Sequence, residues 1–298
     1  MIRKIHGALP HLLFLVLVFL ILQPSVEGTK SYTAFLIIVI VVEAALLANW
    51  KKKAAIDIGI IVFAALILWE YITAKVGVKD AMLYPAPENV FNIFVTDYEK
   101  ILEGVGSSLR LMGLAFALAL FFGVGLGLIV GLSDRLSSTV MPIVRVISPI
   151  PPIIYSPYAV ALLPSFRAAS IIVITMTIFW SIFMNMVLSV RQIDRKIMDS
   201  ARTLNLNLNQ SSMILHVLLP YSLPGIINSV SVSVSTSFLV LTAAEMIGAT
   251  SGLGWYIKYN ADFANFTKVI AGIFVIGVVV TVLNALISLV KRLLIRWR

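Results

Sequence analysis

The sequence contains no cysteine, so neither a disulfide framework nor a cysteine-based metal site is available to it. Its histidines, His6, His11 and His216, never stand at the spacing of metal ligands. Charged residues make up only 12% of the chain and hydrophobic residues 60%, against roughly a quarter charged in soluble domains. No G-x-x-x-x-G-K-[ST] phosphate loop occurs. The composition therefore indicates a membrane protein without an ATPase motif, and predicts no catalytic residue, metal site or nucleic-acid partner.

Long apolar runs are the main feature of the chain. Judged against the ~20 residues that a helix needs to cross the hydrocarbon core, the runs predict about eight transmembrane helices. The first run, in "MIRKIHGALPHLLFLVLVFLIL", also has the basic start and short apolar core of a signal peptide. No small-x-small cleavage site follows it, so we expect a retained helix. The eight runs lie at roughly 9–23, 32–49, 54–74, 105–131, 140–163, 168–190, 217–245 and 267–290.

The Lys and Arg residues predict the orientation of the chain. Most of them fall in segments that are cytoplasmic if the N-terminus is cytoplasmic, as the positive-inside rule requires. We therefore expect a multi-pass protein of the plasma or inner membrane with both termini in the cytoplasm, and the positive net charge follows from this bias.

The stretch "NSVSVSVSTSFLV" alternates serine and valine, a pattern typical of a β-strand. A lone strand in hydrocarbon would leave its backbone groups unpaired, and the other runs are too long for a barrel, so we predict a helix. On a helix, Ser229, Ser233 and Ser237 share one face. Small residues on such a face can pack tightly against another helix or line a polar pathway, and the sequence leaves both alternatives open.

Polar residues in the sixth and seventh runs are further candidates for lining a polar pathway. Placing a polar group inside a membrane span costs free energy, so its presence there indicates a function. Glu70 and Glu245 lie near the outer ends of their runs, which favours the simpler interpretation that each reaches water. The candidate pathway residues are Thr177, Ser181, Asn185, Ser229, Ser233, Thr236, Ser237 and Glu245.

Glycines and prolines predict helix packing and helix breaks. Gly123, Gly127 and Gly131 recur every fourth residue and predict a face on which two helices approach closely. The segment "SPIPPIIYSP" places several prolines within the fifth run, and each proline removes a backbone donor and bends a helix. We expect a broken helix there, buried in protein or beside a water-filled cavity.

The cytoplasmic segment between the sixth and seventh runs, "DRKIMDSARTLNLNLNQSSMILHVLLPYSLPGI", has the pattern of two short helices. Asn205 suits the left-handed residue that ends the first helix. Asn207 can cap the second, with Gln210 three residues later. The segment is either an ordinary loop or a docking element for a soluble protein.

These motifs resemble a known family. "DSARTLN" followed by "ILHVLLPYSLPGI" resembles the EAA loop of the permease subunits of binding-protein-dependent ABC importers. "SPIPP", "LLPYSLPGI" and "AEMIGATSGLGWYI" are similar to the nitrate, sulfonate and taurine permeases, and the resemblance covers about residues 83–290. The chain departs from the family at Asp199, Ser200 and Asn205, where the family has Glu, Ala and Gly. "LLPSFR" also replaces a "WFG"-type motif.

The resemblance implies an all-α polytopic fold whose last five helices form a type I ABC importer permease core. It implies N-terminal helices in 1–80, an external segment in 81–104, the core in 105–290 with a coupling loop in 191–220, and a basic tail in 291–298. The ATPase-coupling residues would be Asp199, Ser200, Ala201, Arg202, Asn205, Asn207 and Pro220.

The same resemblance implies the partners. They are an ABC ATPase subunit that binds ATP and Mg, an external substrate-binding protein, a second permease subunit in a homodimer and the lipid bilayer. No cofactor is expected in this chain. The implied cargo is a small anion such as a sulfonate or nitrate. The alternatives are an ABC importer for a heterocyclic vitamin precursor and an ion-coupled secondary transporter, although no inverted repeat or mid-depth charged pair supports the latter.

Overall fold

The computed structural model describes residues 2–26, 31–77, 80, 82–194, 196–197, 199–200 and 210–294. These residues form helices and contain no strand, which confirms the predicted all-α class. The chain divides into two compact units. The first comprises Met1–Leu102 and Tyr256–Val275, and the second comprises Glu103–Trp255 and Ile276–Arg298.

The helices follow the apolar runs closely. The helices are α1 (Ile2–Leu22), α2 (Thr33–Ala48), α3 (Lys53–Glu70), α4 (Pro87–Thr96), α5 (Tyr98–Leu132), α6 (Asp134–Ile147), α7 (Pro152–Leu162), α8 (Phe166–Arg191), α9 (Leu219–Gly248), α10 (Leu253–Asp262) and α11 (Phe266–Leu294). A π-helical segment, Tyr71–Val76, continues α3. A helical turn at Gln210–Met213 continues through a second π-helical segment, Ile214–Leu218, into α9.

Local sequence explains several helix starts. Ser133 and Ser165 are N-caps, whose hydroxyls accept hydrogen bonds from the Leu136 and Ala168 amides at 3.3 and 3.2 Å. Pro87 occupies the first turn of α4, where its missing N–H costs no hydrogen bond.

Aromatic residues fill the centre of the first unit. Phe35 of α2 is fully buried and stacks on Phe91 of α4, with ring centroids 5.0 Å apart. Trp69 of α3 stacks on Phe274 of α11 at 6.0 Å. Such pairs contribute about 0.5–1.5 kcal/mol beyond burial of their area, so α4 and the start of α11 are integral parts of this unit.

Helices α5 and α8 pack very closely against each other in the second unit. A Cβ atom built at Gly123 would lie 2.9 Å from Ile182 Cγ2, and one built at Gly127 would lie 2.7 Å from Met186 Cβ. A Cβ atom at Gly131 would lie 2.9 Å from Val190 Cβ. Because glycine alone fits these three positions, the predicted small-residue face is confirmed as a helix-packing face.

The predicted count of eight spans is not confirmed. Within the described residues, five helices are long and apolar enough to cross a membrane, or six if α6 and α7 together count as one. The apolar stretches Gly7–Leu22 and Thr33–Ala48 are shorter, and a helix of such a length reaches only about 24 Å of the ~30 Å hydrocarbon core. Between α6 and α7 the chain bends by 93°, because Pro151 and Pro152 interrupt the fifth run.

Candidate functional site

Polar side chains join α8 to α9 in the second unit. Asn185 of α8 donates a hydrogen bond to Ser229 Oγ on α9, and its Nδ2 also lies 3.2 Å from the Ser181 carbonyl oxygen. The Ser229 hydroxyl lies 3.1 Å from the Gly225 carbonyl oxygen, and Ser229 is buried. The structure thus brings together three predicted residues, Ser181, Asn185 and Ser229, and it favours the packing alternative for Ser229.

The serine stretch is helical, as predicted, and its two faces differ. Ser229, Ser233 and Ser237 are all buried, so the shared face is confirmed. Among the described residues, no hydrogen-bond partner reaches the Ser237 hydroxyl. Thr236 lies on the exposed side of α9, and Thr177 of α8 donates to the Val173 carbonyl oxygen of its own helix at 2.9 Å. Whether these residues line a pathway stays a prediction.

A polar strip on the exposed face of α9 was missed by the sequence reasoning. Asn284 of α11 donates to Ser235 Oγ at 3.3 Å, and Lys291 donates to Asn228 Oδ1 at 2.8 Å. Asn228 and Ser235 are seven residues apart, as are Asn284 and Lys291. That shared spacing places each pair on one helix face and could have indicated the antiparallel contact.

Glu245 and Glu70 do not reach water, contrary to the expectation from their positions. Glu245 is 1% exposed and Glu70 is 0% exposed. Glu245 accepts hydrogen bonds from the Ser108 hydroxyl and the Gly254 amide, each at 2.7 Å. Residues far along the chain or in the following segment enclose Glu245, as Ser108, Gly252 and Gly254 do, and the position of a residue within its own run does not show such contacts.

In the first unit, the buried Glu88 of α4 lies beside the buried Glu70 of α3. Lys75 Nζ lies 3.1 Å from Glu70 Oε1. Apart from this ion pair, no hydrogen-bond donor among the described residues reaches Glu70 Oε2 or Glu88 Oε2. Burial, with the added effect of the Glu70 charge, raises the pKa of Glu88 to about 7.

A third polar group ties α10 and α11 to the end of α4. Asp97 accepts hydrogen bonds from Tyr256 Oη at 2.7 Å and from Lys268, whose Nζ is 2.9 Å away. Burial opposes ionisation of Asp97, but these two hydrogen bonds and the Lys268 charge prevail and lower its pKa. Burial, and then the Asp97 carboxylate, raises the pKa of Tyr256.

The structure describes the coupling segment in part. Asp199 and Ser200 are helical and exposed, and Pro220 is exposed in the first turn of α9. The second short helix predicted for the segment begins at Gln210 but is continuous with α9. The other predicted coupling residues, Ala201, Arg202, Asn205 and Asn207, lie outside the described residues.

Comparison with known proteins connects these features. The profile of the family described as "Binding-protein-dependent transport system inner membrane component" matches residues 123–298. The chain is 29% identical to the putative aliphatic sulfonates transport permease protein SsuC of Bacillus subtilis, over 84% of this chain and 88% of that protein. It is 27% identical to the nitrate import permease protein NrtB of Synechococcus elongatus, over 82% and 91%.

A solved structure has a similar fold. It is that of the MetNI methionine ABC transporter in inward-facing conformations, with a TM-score of 0.50 and 19% identity, and the match covers 67% of this chain and 98% of that chain.

Proposed function

Because the chain belongs to the family of binding-protein-dependent transport system inner membrane components, we propose that it is the permease subunit of an ABC importer. The family match is the observation that supports this proposal most strongly. The matched residues, 123–298, include all of the helices from α6 to α11. The chain is the pathway rather than the catalyst. A separate ATPase subunit supplies ATP hydrolysis and binds ATP and Mg, and an external substrate-binding protein delivers the cargo.

The cargo is a small anion such as a sulfonate or nitrate. The names of the relatives from Bacillus subtilis and Synechococcus elongatus support this class. The direct check is to isolate the partner binding protein and identify its ligand by mass spectrometry. A ligand that carries neither a sulfonate nor another anionic group would contradict the anion assignment.

Two copies of the chain enclose the pathway between them. The supporting observation is the strip on α9, a membrane-spanning helix, where Asn228, Ser235 and Thr236 are exposed. The hydrogen bonds of Asn228 and Ser235 to α11 leave these residues exposed. Polar groups at membrane depth face protein or a water-filled cavity rather than lipid. A second copy facing α9 would provide that environment, whereas the buried Ser229, Ser233 and Ser237 hold α9 within its own subunit.

Both termini lie in the cytoplasm, and the absence of native cysteine allows a direct test. In intact cells, Tyr84→Cys should react with a membrane-impermeant maleimide, and Lys52→Cys should react only after permeabilisation. Both residues are exposed in the structure, so protein burial does not protect either site. Labelling of both residues from the same side would contradict the orientation.

The coupling assignment predicts that Ala201→Glu abolishes ATP-driven uptake. A small residue in a tight docking surface is replaced by a bulky charged one, and overpacking costs typically 1–3 kcal/mol before the buried unpaired charge is counted. Asn205→Gly is the matched control in the same loop, because glycine tolerates the left-handed conformation at least as well as asparagine.

The measurement is co-purification of the ATPase together with uptake, for both variants at matched membrane expression. We expect Ala201→Glu to lose both and Asn205→Gly to keep both. If Ala201→Glu keeps the ATPase bound and transports at the parent rate, the loop is not the coupling element.

A further inference from the structure

One buried carboxylate holds the segment that follows α9. Glu245 Oε1 accepts from the Ser108 hydroxyl of α5, and Glu245 Oε2 accepts from the backbone amide of Gly254 in the first turn of α10, both at 2.7 Å. Both carboxylate oxygens are therefore engaged. The group connects α5, α9 and α10 at a single point.

Ser108 extends this connection to a second amide. Its hydroxyl oxygen accepts from the Leu253 amide at 2.9 Å while its proton goes to Glu245. The neighbouring Ser107 hydroxyl lies 2.8 Å from the Ser251 hydroxyl. The segment is thus fixed through two consecutive backbone amides and one side chain, which leaves residues 251–254 little freedom to move independently of α5 and α9.

The glycines of the segment fit closely around this carboxylate. Gly252 has a φ of +117°, and a Cβ atom there would lie 2.3 Å from Glu245 Oε1. A Cβ atom on Gly254 would lie 2.3 Å from the Thr242 carbonyl oxygen. The backbone at Gly252 and Gly254 therefore lies so close to α9 that no side chain larger than that of glycine fits there.

Several helix ends of the second unit meet at this segment. Gly252 lies against Gly104 near the start of α5. A Cβ atom on Gly248 would lie 3.2 Å from Phe166 at the start of α8 and 3.8 Å from Val160 of α7. The segment therefore lies at the end of the second unit where α5 and α8 begin and α9 ends.

We infer that Glu245 is a positioning residue for transport, whose carboxylate fixes residues 249–254 as the outer closure of the pathway. The inference rests on the proposed importer function. Glu245 acts on the cargo through the segment that it holds, because both of its oxygens are occupied and its side chain is buried. Loss of the two acceptors should release the segment and uncouple outer closure from ATP hydrolysis.

The test uses the full cysteine-free chain in proteoliposomes with its ATPase and binding protein, carrying Thr250→Cys and a spin label at that exposed residue, and measures the label spectrum and the uptake of nitrate or a sulfonate. Glu245→Leu removes both acceptors at similar volume, and Ser108→Ala is a milder second variant. Glu103→Leu is the matched control, because it makes the same change at an exposed residue of α5.

Glu245→Gln is the conservative variant. Its amide oxygen can accept from Gly254, and its NH2 group can donate to Ser108, whose hydroxyl has two acceptor lone pairs. We expect Glu245→Leu and Ser108→Ala to give a mobile label spectrum, and Glu245→Gln and Glu103→Leu to match the parent. Uptake with Glu245→Leu should fall at least about tenfold, as expected for loss of a hydrogen bond to a charged group, while ATP hydrolysis continues.

The two readouts separate the inference from the proposed function. An immobile label in both Glu245→Leu and Ser108→Ala would show that Glu245 does not hold the segment. A Glu245→Gln variant as defective as Glu245→Leu would also overturn the positioning role. A mobile label with uptake at the parent rate would overturn the closure role. If the parent shows no ATP-driven uptake, the importer function itself fails, while the label spectra still report on the contact.

Discussion

Replacement of Gly127 by leucine is expected to abolish folded, detergent-extractable protein, whereas the same replacement at Gly125, two residues away, should leave it close to the parent level. A Cβ atom at residue 127 would lie 2.7 Å from Met186 Cβ and 3.1 Å from the Phe183 carbonyl oxygen. These atoms belong to the backbone or adjoin it, so rotation of a flexible side-chain end cannot relieve the collision. Helix α8 itself would have to move.

The contacts of the neighbouring glycines of α5 indicate how much folding stability Gly127→Leu should cost. Overpacking a well-packed interior costs typically 1–3 kcal/mol, and more when backbone must shift, out of a total stability of about 5–15 kcal/mol. Moving α8 would also disturb its contacts at Gly123 and Gly131, which are equally close. Gly125 has no atom within 4 Å of its Cβ position, so leucine there points into open space.

The measurement is the monodisperse fraction of each variant by size-exclusion chromatography, followed by thermal unfolding of whatever protein is recovered. Gly125→Leu controls for the change in hydrophobicity and helix propensity. Equal loss in the two variants would mean that general tolerance to leucine, rather than α5–α8 contact, decides the outcome.

Alkaline pH is expected to loosen the first unit around α4. Burial raises the pKa of Glu88 from its ordinary value of 4.5 to about 7, so the folded state binds a proton more tightly than the unfolded state. The resulting stability is fully present below pH 4.5 and is lost as the pH rises through 7. A shift of this size corresponds to about 3 kcal/mol.

The groups around Glu88 explain why the proton is retained. Glu70 of α3 adds negative charge, and the Lys75 ammonium is the nearest compensating cation. Two other acidic groups of the unit have partners of their own, since Glu43 of α2 contacts His11 and Asp97 pairs with Lys268. With both Glu70 and Glu88 ionised, a single lysine would face two buried carboxylates, which is unfavourable at low dielectric.

Hydrogen exchange of peptides from residues 87–96, corrected for intrinsic rates, measures this effect between pH 5 and pH 8. Protection in the parent should fall over that interval. Glu88→Gln, which resembles the protonated form, should show nearly constant protection. The exposed residue Glu99 provides the control, and Glu99→Gln should follow the parent. A parent whose protection is constant with pH would contradict the assignment.

Periodicity and composition predicted most of the helices, because hydrocarbon admits few alternatives for the backbone. The helical serine stretch and the glycine face of α5 followed from residue type and spacing alone. Other features depend on contacts between segments far apart in the chain. Glu245 meets Ser108 across more than 130 residues, and neither neighbouring sequence shows that the carboxylate is enclosed. The count of eight spans is not confirmed, because two of the apolar runs form helical stretches shorter than a membrane crossing and an apolar run does not show its depth in the bilayer.

The continuity of α9 with its preceding π-helical segment has a mechanical consequence. Ile214–Gly248 forms one uninterrupted span of 35 residues, about 52 Å at 1.5 Å per residue. A rod of this length pivoting by about 10° near its midpoint displaces each end by roughly 4–5 Å in opposite directions. Its Ile214 end follows the predicted docking loop in the sequence, and its Gly248 end carries Glu245. We therefore expect a push applied at one end of this helix to reach the other end as a lever stroke, because the helix is unbroken from Leu219 to Gly248 even at Pro224.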